Sequence, residues 1–132
     1  MLRNLLIISI AWSIIILVLS ALPGDSLPHS PLWSFPHFDK IVHMGLYFPL
    51  AFFLVAEFDL SQHSLLARSA PVLAILIVAF YGGFLEIAQQ NIFVHRSADI
   101  FDFLSDLLVG LLGIFFYYLL FRKFFTRHLK RS

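Results

Sequence analysis

Three stretches of this sequence carry ionisable and amide side chains at helical spacing inside otherwise apolar runs. Asp39, His43 and Tyr47 follow at i, i+4 and i+8, which sets them on one helix face, and Lys40 stands three residues before His43 on a neighbouring part of it. Glu86 and Gln90 are i, i+4, with Gln89 beside them. Asp99, Asp102, Asp106, Gly110 and Gly113 advance by steps of 3, 4, 4 and 3, a continuous stripe, and Arg96 lies just ahead of them. Two kinds of chemistry fit such a set. Lys40 and Arg96 can hold an anionic group, with Glu86, Gln89 and Asp102 orienting it by hydrogen bonds. Alternatively, His43 or Glu86 can act as general base or acid, with Asp39 orienting the imidazole. The binding reading is preferred and an enzyme is the alternative. A third reading is structural or transport-related: polar groups that hold helices together, or an ion path.

Other chemistries find little support. Asp39, His43, Glu86 and Asp102 are ligand types that hold zinc or manganese. One well-placed histidine and no His-Glu-x-x-His leave no metal site expected. No cofactor is expected either, because phosphate-loop and dinucleotide glycine patterns are missing. There is no Gly-x-Ser-x-Gly elbow for a serine nucleophile and no cysteine for a thiolate.

Those polar groups must be positioned by something other than a water-soluble globule. The 132 residues are 60% hydrophobic, 17% aromatic and only 13% charged, against about 25% charged in a soluble domain. Sixteen are phenylalanine. Lipid is the natural solvent for such a chain, and its length suits one domain. The expectation is an all-α integral membrane bundle with four transmembrane helices, over about 5–22, 40–58, 71–88 and 102–121.

The first run is 18 residues, roughly 27 Å of helix against a hydrocarbon core of about 30 Å, and Pro23-Gly24 ends it. That length exceeds a signal-peptide core of about 7–15 residues, so it is read as a retained span. Pro49 should kink the second span. Ser61–Ser69 reads as a short polar turn, and Pro71 suits the first turn of the third span. Gly82-Gly83 allows close helix contact.

Charge sets the expected direction. Four spans put both ends on one side, where Arg3, Arg68, Arg122, Lys123, Arg127, Lys130 and Arg131 collect; only Lys40 and Arg96 fall on the other. Lys and Arg favour cytoplasmic loops, so both termini, including the basic tail 122–132, are expected in the cytoplasm. The tail fixes topology rather than binding nucleic acid. The polar residues of spans two to four then gather at the extracytoplasmic ends. Inward-facing stripes are expected, because charge pointing at lipid is costly. Glu86 is expected to be the deepest acid.

The motifs in order resemble the VanZ-like family, small bacterial membrane proteins named for a teicoplanin-resistance protein. The second span opens D-K-I-V-H-M-G-L-Y, Asp39 to Tyr47. The third ends Y-G-G-F-L-E-I-A-Q, Tyr81 to Gln89. Arg96 is followed six residues later by Asp102, and a glycine-bearing fourth span closes the pattern. Asp106 and Val109 stand where the pattern usually has Asn and Gly, which implies a different charge balance or ligand. The resemblance covers the chain as far as Gly113. It implies a multi-pass protein of the bacterial inner (cytoplasmic) membrane with a cell-envelope role. The implied partners are membrane lipids, a lipid-linked cell-wall precursor or a glycopeptide, and the implied phenotype is antibiotic resistance.

Overall fold

The structure, a computed structural model, describes residues 2–22, 38–92 and 99–129, with only the backbone for residues 2, 3, 38–40, 43, 125, 126, 128 and 129. All regular structure among these residues is helical: α1 (Leu2–Ala21), α2 (Phe38–Asp59), α3 (Ser64–Arg68), α4 (Ala70–Asn91) and α5 (Ile100–Phe116). α5 runs through a π-turn (Tyr117–Phe121) into α6 (Arg122–Leu129). Each long helix lies over one of the expected apolar runs, and each extends past the expected limits at one end or both. Pro71 does sit in the first turn of α4. The segment expected as a polar turn forms the short helix α3: it holds no Gly or Pro, and Ser69 N–H closes a turn on the Leu65 carbonyl at 3.1 Å.

Three helices are long and apolar enough to cross a membrane, over Asn4–Ala21, Ala70–Asn91 and Ile100–Phe124. Their outward faces carry bare hydrocarbon, among it Ile7, Ile14, Val72, Phe80, Leu108 and Leu119. Apolar surface on that scale marks contact with a membrane or a partner rather than water.

α2 is the hub, packing against α1, α4 and α5. Along it Tyr47, Leu50, Ala51, Leu54, Val55 and Ala56 are buried. α1 runs antiparallel to α2, since Trp12 meets Leu46 while Ser9 lies beside Glu57. α5 runs parallel to α2, since Asp106 lies near Tyr47 while Tyr117 bonds Asp59. α4 runs antiparallel to α5, and so to α2, since Gly110 meets Val78 while Gly83 meets Phe103. The α4 face toward the hub is built of small residues, Ala70, Ala74, Val78 and Gly82, at four-residue steps. α5 answers with Gly110 and Gly113. A Cβ on Gly110 would lie 3.1 Å from Val78 Cγ1, and one on Gly113 only 2.5 Å from the Phe48 carbonyl oxygen. Small residues thus let three backbones approach closely, the packing device available where no water drives helices together.

Side-chain bonds to backbone carbonyls tie on α1. Trp12 Nε1 donates to the Leu46 carbonyl at 2.7 Å, and the Tyr81 hydroxyl donates to the Ser13 carbonyl at 2.5 Å. Leu46 lies in the turn that Pro49 weakens by removing one helical donor. At the end of the bundle that carries the N-terminus, Asp59 Oδ2 accepts from the Tyr117 hydroxyl and from Arg122 Nε, both at 3.0 Å. The π-turn makes this convergence possible. In an α-helix five residues turn through about 500°, leaving Tyr117 and Arg122 about 140° apart. Here Arg122 N–H bonds back to the Tyr117 carbonyl, an i to i+5 closure that widens the turn and brings both side chains to one acid.

Candidate functional site

At the opposite end, three helices deliver polar side chains to one interior spot. α2 brings Tyr47, α4 brings Glu86 and Gln89, and α5 brings Asp106, all buried. Gly82 marks the meeting point: a Cβ there would be 3.6 Å from Asp106 Oδ2 and 3.6 Å from the Tyr47 hydroxyl. Glycine at 82 therefore leaves room for a phenol and a carboxylate to lie side by side between α2, α4 and α5. Tyr81 and Glu86 are also within electrostatic range of Tyr47. Two carboxylates in so apolar an interior are costly to desolvate and persist only with polar company.

Glu86 also has a structural duty. Its Oε2 accepts the backbone N–H of Asp99 at 2.9 Å, bridging the end of α4 to the start of α5. Asp99 then caps α5, its Oδ1 accepting from Phe101 N–H at 2.8 Å. An acidic cap suits a helix N-terminus, whose first N–H groups have no partner within the helix. Asp102 follows in the first turn of α5, where a negative charge also complements the helix dipole.

One detail departs from the sequence reading, and a second sharpens it. Asp106 is deeper than Glu86, 1% against 9% exposed. Asp106 belongs to the stripe that ends in Gly110 and Gly113, where α5 lies tightest on its neighbours, so its side chain is carried inward with them. In addition, Gln89 is buried with Glu86 while Gln90 faces outward. An i, i+3 pair shares a helix face as well as an i, i+4 pair does, and here the i+3 residue is the inner one.

The rest of the expected set lies around this cluster or beyond the described residues. Asp39, Lys40 and His43 occupy the first turns of α2, one and two turns before Tyr47, with side chains outside the described residues. Arg96 lies wholly outside them. Among the described residues no three histidine, aspartate or glutamate side chains come together as a metal would need. Sequence reasoning missed the Asp59–Tyr117–Arg122 cluster. Tyr117 sits in an aromatic run that looks uniformly greasy, and only a π-turn brings Arg122 beside it.

What the cluster can do follows from its groups. Carboxylates and an amide oxygen accept hydrogen bonds from hydroxyls and amines, and the phenol can donate or accept. Set at one end of an apolar bundle, they make a buried polar floor between α2, α4 and α5.

No protein family model matches the chain, and no solved structure does. Among curated proteins the chain is similar to an uncharacterized protein of the fission yeast Schizosaccharomyces pombe, C11E3.10: 31% identical over 99 residues, which cover 75% of this chain and 56% of the relative. The chain thus spans about half the length of the relative it matches.

Proposed function

We propose that this chain is a four-span membrane protein that binds the head group of a lipid-linked molecule at the outer face of the bundle. The observation that carries the reading is the burial of Tyr47, Glu86, Gln89 and Asp106 together at one end of apolar helices. Ionisable groups inside membrane segments are expensive, and a functional role is their default reading. α2 is the fourth span in this account. Its 22 residues reach roughly 33 Å, enough for the hydrocarbon core. The excess of Lys and Arg beside the termini sets both termini in the cytoplasm.

Division of labour follows from charge. Lys40 and Arg96 hold the phosphate of the lipid at the membrane surface. Glu86, Gln89, Asp102 and Asp106, with Tyr47, accept and donate hydrogen bonds to a hydroxyl-bearing part such as a sugar. His43 and Asp39 complete the face of α2 above Tyr47. The resemblance to VanZ-like proteins adds that the membrane is a bacterial inner membrane, the ligand a cell-wall precursor and glycopeptide susceptibility the phenotype. The similarity to a yeast protein favours a ligand class shared by both kinds of cell, a polyprenyl-phosphate sugar, over one peculiar to the bacterial wall.

The experiment uses vesicles doped with a polyprenyl-phosphate sugar and the purified protein in nanodiscs. Replacing both Lys40 and Arg96 by Ala is expected to weaken transfer of the lipid to the protein by about tenfold or more, since hydrogen bonds to charged groups contribute about 1.5–3 kcal/mol each. The double variant should insert normally, with a cysteine placed at residue 30 labelled only from the extracytoplasmic side. The native chain has no cysteine, so the label reports one position. Unchanged transfer by a correctly inserted double variant would remove the reading.

A further inference from the structure

A second site lies on the lipid-facing side of the bundle, away from the buried cluster. α1, α2 and α4 enclose a groove of about 460 Å³. Its walls are hydrocarbon, from Ile10, Ile14, Leu54 and Ile77 among others. Its polar end holds Ser9 and Glu57, and its far end is closed by Tyr81, whose hydroxyl is already given to the Ser13 carbonyl.

Two facts distinguish this groove from a packing fault. The first is Ser9, only 3% exposed, whose hydroxyl has, among the described residues, nothing but the Glu57 carboxylate beside it to bond with. The second is Glu57. Its carboxylate lies beside Ser9, and among the described residues no cation is paired with it. The acid of α2 two residues on, Asp59, has its own cation in Arg122. Among the described residues, Glu57 and Ser9 therefore present several acceptor positions at the polar end of an apolar slot, with the single Ser9 hydroxyl proton the one donor between them.

The dimensions fit one lipid leaflet. From Ser9 to Leu17, both lining the groove, is about 12 Å of helix, a large part of the roughly 15 Å half-thickness of the hydrocarbon core. The polar end is the end that carries the N-terminus, which is cytoplasmic in the four-span reading. The proposal rests on that topology, but not on the head-group site at the opposite face.

We propose that the α1–α2–α4 groove is a binding site for a lipid of the inner leaflet with an ammonium head, of the phosphatidylethanolamine kind, held by Glu57 and Ser9 with one acyl chain along Ile10, Ile14 and Leu54. Charge complementarity selects this occupant. An ammonium carries three donors and a positive charge, which suit a carboxylate and the acceptor side of a hydroxyl; phosphatidylglycerol brings an anionic head and no cation, and would be repelled.

Native mass spectrometry of the purified protein, titrated with phosphatidylethanolamine or phosphatidylglycerol of identical chains, tests this. Wild type is expected to retain phosphatidylethanolamine at least tenfold better than phosphatidylglycerol. Glu57→Gln should abolish that preference, and Ile14→Trp, which fills the slot from its exposed face, should lower retention of both lipids. Should Glu57→Gln fail to fold, Ile14→Trp and the wild-type preference decide the matter. Equal retention of the two lipids by wild type would overturn the proposal, as would a folded Glu57→Gln that keeps the preference or an Ile14→Trp that binds as wild type does. A cysteine label at residue 30 reached from the cytoplasm would contradict the topology separately, leaving the lipid preference to be read on its own.

Discussion

Gly113→Leu is expected to prevent the bundle from assembling, with loss of the folded protein from detergent extracts. The reason is geometric. Even a single Cβ at 113 would meet the Phe48 carbonyl oxygen at 2.5 Å and Ala51 Cβ at 3.4 Å. The first obstacle is backbone, so it cannot rotate aside, and α5 would have to leave α2. Gly113→Ala already forces that separation, and overpacking of this kind costs about 1–3 kcal/mol; leucine exceeds it. Gly45→Ala is the matched contrast. A Cβ at Gly45 meets nothing within 4 Å, and removing a glycine from a helix interior stabilises by about 0.5–1 kcal/mol. Thermal unfolding of both variants, followed by size-exclusion fluorescence, reads the difference. Equal unfolding temperatures for Gly113→Leu and wild type would show that α2 and α5 do not approach as closely as described.

The second large effect is expected at Glu86, and it depends on what replaces it. Glu86→Leu removes the acceptor of Asp99 N–H, the bond that joins the end of α4 to the start of α5. A partly buried amide is left without that acceptor, at a cost of about 1–3 kcal/mol. Glu86→Gln keeps a carbonyl oxygen of the same reach, so the bond survives while the charge is lost. Glu86→Leu should therefore unfold at a clearly lower temperature than Glu86→Gln, with faster hydrogen exchange at the start of α5. If the two variants prove equally stable, Glu86 does not hold that junction.

Much of this architecture was readable from residue spacing. The apolar runs located the long helices, and Pro71 marked the start of α4 because a proline costs nothing in a first turn. The polar stripe of α5 turned inward at Asp106, Gly110 and Gly113 as a stripe in lipid must. Depth was less readable. Asp106 and Glu86 differ little in sequence context, and what separates them is the close approach that Gly110 and Gly113 permit, a tertiary effect. Gln89 and Gln90 are adjacent, so the face that turns inward depends on helix rotation set by Ala74, Val78 and Gly82 packing on α2. The π-turn leaves no signature in Y-Y-L-L-F, and with it the joining of Asp59 to Tyr117 and Arg122 was hidden. Ser9 and Glu57 were also out of reach, being on different helices with no shared spacing.

The central claim is that the buried polar cluster receives a head group rather than only holding helices together. The most direct measurement compares wild type, Glu86→Gln and Asp106→Asn for transfer of a polyprenyl-phosphate sugar against bare polyprenyl phosphate, alongside membrane abundance and unfolding temperature. The account predicts that both variants reach wild-type abundance, keep most of their stability, and lose about tenfold in preference for the sugar-bearing lipid, the worth of one charge-assisted hydrogen bond. Collapse of abundance in both variants, or an unchanged preference in stable ones, would contradict it and leave the cluster as the glue of a helix bundle.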